Sequence, residues 1–154
     1  MVKSYRGVQV AQQPAKAPAV TVGDYMSRKL ITFHPDQHMD DVINTLLKYR
    51  ISGGPVVNDD GELVGVVSEG DCMKEVVRGK YNNMPTLSGK VSDYMTKKVI
   101  STSPETNIFD MASKFLEFRI RRFPVVDMGK LVGQISQKDI MRAVHSMKSS
   151  NWTR

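Results

Sequence analysis

The chain repeats itself, and that duplication limits its fold more than any other feature. Laying Val22-Gly23-Asp24-Tyr25-Met26 over Val91-Ser92-Asp93-Tyr94-Met95 starts a correspondence of about 55 positions with roughly 22 identities. Ile31 meets Ile100, Pro35 meets Pro104, Arg50-Ile51 meets Arg119-Ile120, and Pro55-Val56-Val57 meets Pro124-Val125-Val126. After a one-residue deletion in a turn, GELVGVVS (61–68) meets GKLVGQIS (129–136), and Asp71 meets Asp139.

Each copy has the same local pattern. A short β-rich run (30–33; 99–102) ends at a proline that precedes a helix. The helix carries apolar residues at Met39, Val42, Ile43, Leu46 and Leu47, or at Ile108, Met111, Ala112, Phe115 and Leu116, which is helical spacing with one apolar face. Two strands around a tight turn follow (55–58 and 63–68; 123–127 and 131–136), and a last helix begins near Asp71 or Asp139. The fold class expected is therefore mixed α/β (α+β), two β-α-β-β-α units. One unit is too small to bury both faces of its sheet, so the copies should pack as a pseudo-two-fold pair. The domain reading is an arm at 1–20, repeat 1 at 21–77, a Gly/Asn/Pro/Lys-rich linker at 78–90, repeat 2 at 91–147, and a tail at 148–154.

These units resemble the CBS domain, named for cystathionine β-synthase, and the tandem resembles a Bateman module. The resemblance rests on VGDYMS and VSDYMT at the start of each unit, RISGGPVV and RIRRFPVV before the middle strand, and GVVSEGD and GQISQKD at the end of the hairpin. It implies two inter-repeat clefts that hold adenosine-containing ligands and a disc-like homodimer. The family pattern G-h-h-[ST]-x-x-D falls on Gly65 to Asp71 and on Gly133 to Asp139. By that resemblance Ser68 and Asp71, or Ser136 and Asp139 in a second cleft, grip a ribose. Carboxylates accept hydroxyl hydrogens, and a serine at a helix start can bond sugar or phosphate. The same residues also suit plain helix caps. Ile31, Ile51, Ile100 and Ile120, with Gly65 and Val66, are candidates for an adenine pocket, and core packing is the alternative for each isoleucine.

The copies differ in charge. Residues 21–77 carry 5 basic and 10 acidic side chains, and residues 91–147 carry 9 and 6. Arg121-Arg122 stand where repeat 1 has Ser52-Gly53, and Lys138 stands where it has Gly70. This pattern is similar to the nucleotide-binding γ subunit of AMP-activated protein kinase. The similarity implies one dominant site: ribose on Ser68 and Asp71, phosphate on Arg122 and Lys138 with Arg121 in support. Arginine's fork suits phosphate oxygens, and lysine acts as a point charge. The cleft around Asp139, facing Ser52, Gly53 and Glu69, would reject a polyphosphate. The ligand is expected among AMP, ADP and ATP, with NAD and S-adenosylmethionine also open, and no metal or required cofactor is expected.

Other functions fit less well. The net charge of +6 sits mainly at the ends, since residues 21–147 hold 17 basic and 16 acidic groups. A duplex-binding domain concentrates charge on a folded face, so nucleic acid is not the expected partner. His34, His38 and His145 lie outside the repeated motif, Cys72 takes the place of Ile140, and no P-loop, GxSxG or HExxH occurs, so no enzyme is expected. One cysteine and no apolar run of about 20 residues indicate a cytoplasmic protein with no membrane association. The main alternative is a ligand-independent interaction module that regulates an unknown protein partner.

Overall fold

The structure, a computed structural model, describes residues 20–83 and 87–151. The arm reading, apart from Val20, and the end of the tail reading, from residue 152, lie outside those residues. The elements are α1 (Val22–Tyr25), α2 (Met39–Tyr49), β1 (Gly53–Val57), β2 (Leu63–Ser68), α3 (Glu69–Tyr81), α4 (Val91–Tyr94), α5 (Ile108–Phe118), β3 (Arg122–Asp127), β4 (Lys130–Ser136) and α6 (Gln137–Asn151). β1 pairs antiparallel with β2, and β3 with β4, each hairpin carrying one irregularity, after Val56 or after Val125. The chain is α+β, and its two halves repeat each other element by element.

The β-rich runs before the first proline of each unit do not become strands. Each makes one parallel bridge, Phe33 to Val56 and Thr102 to Val125. Phe33 donates to the Pro55 carbonyl (2.9 Å) and accepts from Val57 N–H (2.8 Å), and Thr102 does the same with Pro124 and Val126 (3.0 and 2.8 Å). Extending the parallel ladder by one step would need an N–H at residue 55 or 124. Both are proline, which has none, so the ladder stops.

The cores show that the sequence repeats are not the packing units. Val22 and Met26, at the start of repeat 1, are buried with Ile108, Met111, Phe115, Phe123, Ile135 and Ala143 of repeat 2. Val91, at the start of repeat 2, is buried with Phe33, Met39, Val42, Leu46, Val56 and Val67 of repeat 1, and Met95 packs against that cluster. The leading segments are therefore exchanged. Backbone hydrogen bonds fix the exchange at matching positions. Val22 and Gly23 donate to Thr106 and Pro104 (2.9 and 2.8 Å), while Val91 and Ser92 donate to Gln37 and Pro35 (both 2.9 Å). Further along, Ser27 and Gln134 exchange two bonds (2.9 and 3.0 Å), as do Thr96 and Val66 (both 2.9 Å). The close approach depends on glycine. A Cβ at Gly65 would lie 2.6 Å from Met95 Sδ and 3.0 Å from the Thr96 carbonyl, and one at Gly133 would lie 2.5 Å from Met26 Sδ.

The two cores reach similar filling by opposite choices. Repeat 1 has buried Phe33 lying over Gly54, where a Cβ would meet the ring at 2.9 Å. Repeat 2 has Thr102 and Phe123 at the matching positions, with the Phe123 ring edge-on to Phe115 at 4.9 Å. A compensating swap of this kind keeps local volume, which cores tolerate far better than a one-sided change. The apolar stripe of α2 and α5 is wider than the core it serves: Met39, Val42 and Leu46 are buried, as are Ile108, Met111 and Phe115, while Leu47 and Leu116 are exposed.

The connection between repeats is tied by one buried carboxylate. α3 continues to Tyr81, into the stretch read as linker, and Glu75 on it is fully buried. Its oxygens accept from Arg78 Nε (2.6 Å) and Nη2 (3.1 Å), from the Tyr94 hydroxyl (2.7 Å) and from Gly89 N–H. Repeat 2 has Ala143 at the matching position, so the tie exists once. Hydrogen bonding from Arg78 above all, with help from Tyr94 and Gly89, outweighs burial and holds the Glu75 carboxyl at about 2.

Two outcomes follow. Gly65→Val is expected to destabilise the protein by about 1–3 kcal/mol through overpacking against Met95 and Thr96, read as a lower midpoint in urea. Glu75→Gln removes the buried carboxylate that ties Arg78, Tyr94 and Gly89 together and is expected to lower the urea midpoint at neutral pH. Because the folded-state pKa is depressed, that contribution is complete above the ordinary carboxylate range near 4.5 and fades as pH falls toward about 2. The stability gap between parent and variant should close over that window, and a gap independent of pH would contradict the assignment.

Candidate functional site

The seam made by the exchange opens into two clefts near the pseudo-two-fold axis. Each of α3 and α6 starts where a hairpin ends, at Ser68 or Ser136 in extended conformation. Ser68 donates through N–H (2.9 Å) and hydroxyl (3.2 Å) to one oxygen, Oδ2, of Asp71. Ser136 does the same to Asp139 Oδ2 (2.8 and 3.0 Å). These are reciprocal caps that close the first turn, and both aspartates are buried. The second oxygens differ. Asp139 Oδ1 forms a close ion pair with Arg142, whereas Asp71 Oδ1 has Lys74 only at 3.9 Å.

One cleft, about 310 Å³, has Ser68, Val66, Ile120, Arg121, Arg122 and Gln134 on its walls together with Ser52, Gly53 and Pro124. The other, about 270 Å³, has Ser136, Asp139, Ile31, Ile51, Arg122 and Gln134 together with Ser27, Lys29 and Gly53. The walls correspond by pseudo-symmetry: Ser68 matches Ser136, Val66 matches Gln134, and Ile120 matches Ile51. Charge breaks the match. The Ser68 cleft presents two arginines and no carboxylate among its lining residues, and the Asp139 cleft presents Arg122, Lys29 and one carboxylate.

The structure thus brings Ser68, Arg121 and Arg122 to one wall system, as the sequence pattern expects. It leaves two expected members off that wall. Asp71 is turned into the Ser68 cap and lines neither cleft. Lys138 is exposed on the first turn of α6 and also lines neither. The cleft expected to face Ser52, Gly53 and Glu69 and to reject a polyphosphate has Gly53 of these three and holds Arg122 and Lys29, because Arg122 at the start of β3 reaches both clefts. Of the adenine candidates, Ile31 and Ile51 line one cleft and Val66 and Ile120 the other. Ile100 is exposed and lines neither, and Gly65 serves the approach of Met95 and Thr96. Ser27, Lys29 and Gln134 were not singled out from sequence. Ser27 closes the VGDYMS motif, but only the exchange of leading segments carries it against Gln134.

Groups suited to catalysis are scattered. His34 Nε2 bonds Asp59 (2.8 Å) and His38 Nδ1 bonds the Ser88 carbonyl (3.0 Å), away from both clefts. Burial, with Asp71 and Glu69 nearby, pushes the Cys72 thiol up, away from a reactive thiolate. Among the described residues no helix is long and apolar enough to cross a membrane.

The family model for the CBS domain matches residues 22–78 and again residues 91–146. The chain belongs to the CBS domain family. This CBS pair is 32% identical over 152 residues to the uncharacterized protein MJ1426 of Methanocaldococcus jannaschii, a match that covers 80% of the present chain and 90% of the relative. The solved structure of CBSX2 in complex with AMP matches with TM-score 0.71 and 35% identity, covering 83% of this chain and 98% of that one. The CBS domain pair of protein MJ0100, solved with 5′-methylthioadenosine and S-adenosyl-L-methionine, matches with TM-score 0.67 and 27% identity, covering 85% and 100%. Two similar pairs have thus been solved with adenosine compounds bound.

Proposed function

We propose that this CBS pair is a non-catalytic cytoplasmic sensor that binds an adenine nucleotide, AMP first among them, across the seam between its repeats. The observation that carries this reading is the meeting of Ser68, Arg121 and Arg122 in one cleft. Ser68 presents a hydroxyl, Ile120 and Val66 supply apolar surface for a base, and the two arginines supply paired donors for a phosphate. Asp71 contributes by holding Ser68 at the cleft wall, its Oδ2 accepting from the Ser68 N–H and hydroxyl. Lys138, being off the wall, is not needed. AMP in the similar CBSX2 pair supports the choice of ligand.

The expected form is a homodimer. α2 and α3 expose Leu47, Met73 and Val76, and α5 and α6 expose Leu116, Met141 and Val144 at the matching positions. Between α2 and α3 lies an apolar groove of about 440 Å³ that includes Ile43, Cys72 and Met73. Two like patches on one pseudo-symmetric chain suit an isologous contact with a second copy. A ligand at the seam can change that assembly only by binding its two states with different affinity.

AMP is expected to raise the melting temperature of the protein, since a ligand of the native state stabilises it. In calorimetry Arg122→Ala should weaken AMP binding by about 10- to 100-fold, the loss of a charge-assisted contact. Equal affinity for AMP in parent and variant would contradict the phosphate assignment. No thermal shift with AMP, ADP, ATP, NAD or S-adenosylmethionine would favour a ligand-independent interaction module. Separately, the double change Met73→Glu with Met141→Glu should convert a dimer to a monomer in light scattering.

A further inference from the structure

We infer that the two clefts are not independent: they share a single guanidinium, Arg122, so that an anionic ligand in one weakens the binding of a second anion in the other. This inference rests on the nucleotide-binding reading and deepens it. Arg122, Gly53, Pro55 and Gln134 border both clefts. These four lie around the pseudo-two-fold axis, so the boundary between the clefts is also their common wall.

A symmetric pair would place a second arginine at the matching position of repeat 1 and give each cleft its own. Here that position is Gly53, and the backbone forbids a side chain. A Cβ at Gly53 would lie 2.5 Å from the Val67 carbonyl and 3.1 Å from Ser68 Cα. The asymmetry is therefore built into the packing of β1 on β2 and is more than a choice of surface residue. Each cleft keeps one cation of its own, Arg121 or Lys29, and the two compete for the third.

One phosphate engaging Arg122 from the Ser68 side draws the fork to that side and neutralises it. A second phosphate entering beside Asp139 then meets Lys29 alone, with a carboxylate on the same wall and a first dianion a short distance away. An uncharged nucleoside meets no such penalty. The first anion takes the Ser68 cleft, and the Asp139 cleft prefers adenosine or a cationic adenosine compound once AMP is bound. The coupling is reciprocal, as linkage requires.

The test is titration calorimetry of the full chain with AMP, with adenosine, and with adenosine after saturation by AMP. The expected result is one AMP per chain with a second at least about 10-fold weaker, a gap of about 1.4 kcal/mol between the two events. Adenosine should enter the AMP-loaded protein more tightly than a second AMP does. In Arg122→Gln both AMP events should be weak and the difference between them should shrink to under about threefold. Two equal, independent AMP sites in the parent would overturn the coupling while leaving nucleotide binding intact. One AMP with no site left for adenosine would overturn it by showing that the second cleft is not a site. Absence of binding by either compound would overturn the nucleotide reading itself, and the coupling with it.

Discussion

The exchange of leading segments between the repeats is the constraint on which the remaining structure depends. α1 completes the core of the second repeat and α4 completes that of the first, so neither repeat holds a finished core alone. The seal is steric as much as apolar: Gly65 admits Met95 and Thr96 against β2, and Gly133 admits Met26 and Ser27 against β4. Those segments bridge to β2 through Thr96 and to β4 through Ser27, and the clefts lie beside them with walls drawn from both repeats.

Within that frame, function is proposed to come from broken symmetry. The caps at Ser68 and Ser136 are alike, and each aspartate spends one oxygen on its helix. What separates the clefts is the charge around them: Arg142 holds the free oxygen of Asp139, Arg121 stands on one side only, and Gly53 leaves the axis with one guanidinium. A duplicated fold with identical halves would offer two equal sites. Small changes on one strand suffice to make them unequal without disturbing the core, as the compensating exchange of Phe33/Gly54 for Thr102/Phe123 shows.

Much of this was legible in the chain itself. The doubled motif named the family and the α+β unit, and the Arg121-Arg122 pair, standing where repeat 1 has Ser52-Gly53, pointed to the seam where both line a cleft. What was not legible depends on partners distant in sequence. The run 30–33 has strand composition, yet a missing N–H at Pro55 stops its ladder, a limit that appears only once the register is known. Glu75 looks like one more helical acid until Tyr94 and Gly89 close over it. Ser27, Lys29 and Gln134 meet only because the leading segment crosses to the other repeat. Asp71 and Ile100 carry the right residue types at the right motif positions but face elsewhere, since a motif fixes spacing along the chain and not the direction of a side chain. The arm at 1–20, apart from Val20, and the tail from residue 152 stay outside the described residues.

The central claim is that the seam receives an adenine nucleotide with its phosphate on Arg122. A crystal structure of the protein grown with AMP tests it directly. The account predicts phosphate oxygens at about 2.7–2.9 Å from the Arg122 guanidinium, with the ribose beside Ser68. AMP seated in the α2/α3 groove, or with its phosphate pointing away from Arg122 into solvent, would contradict it.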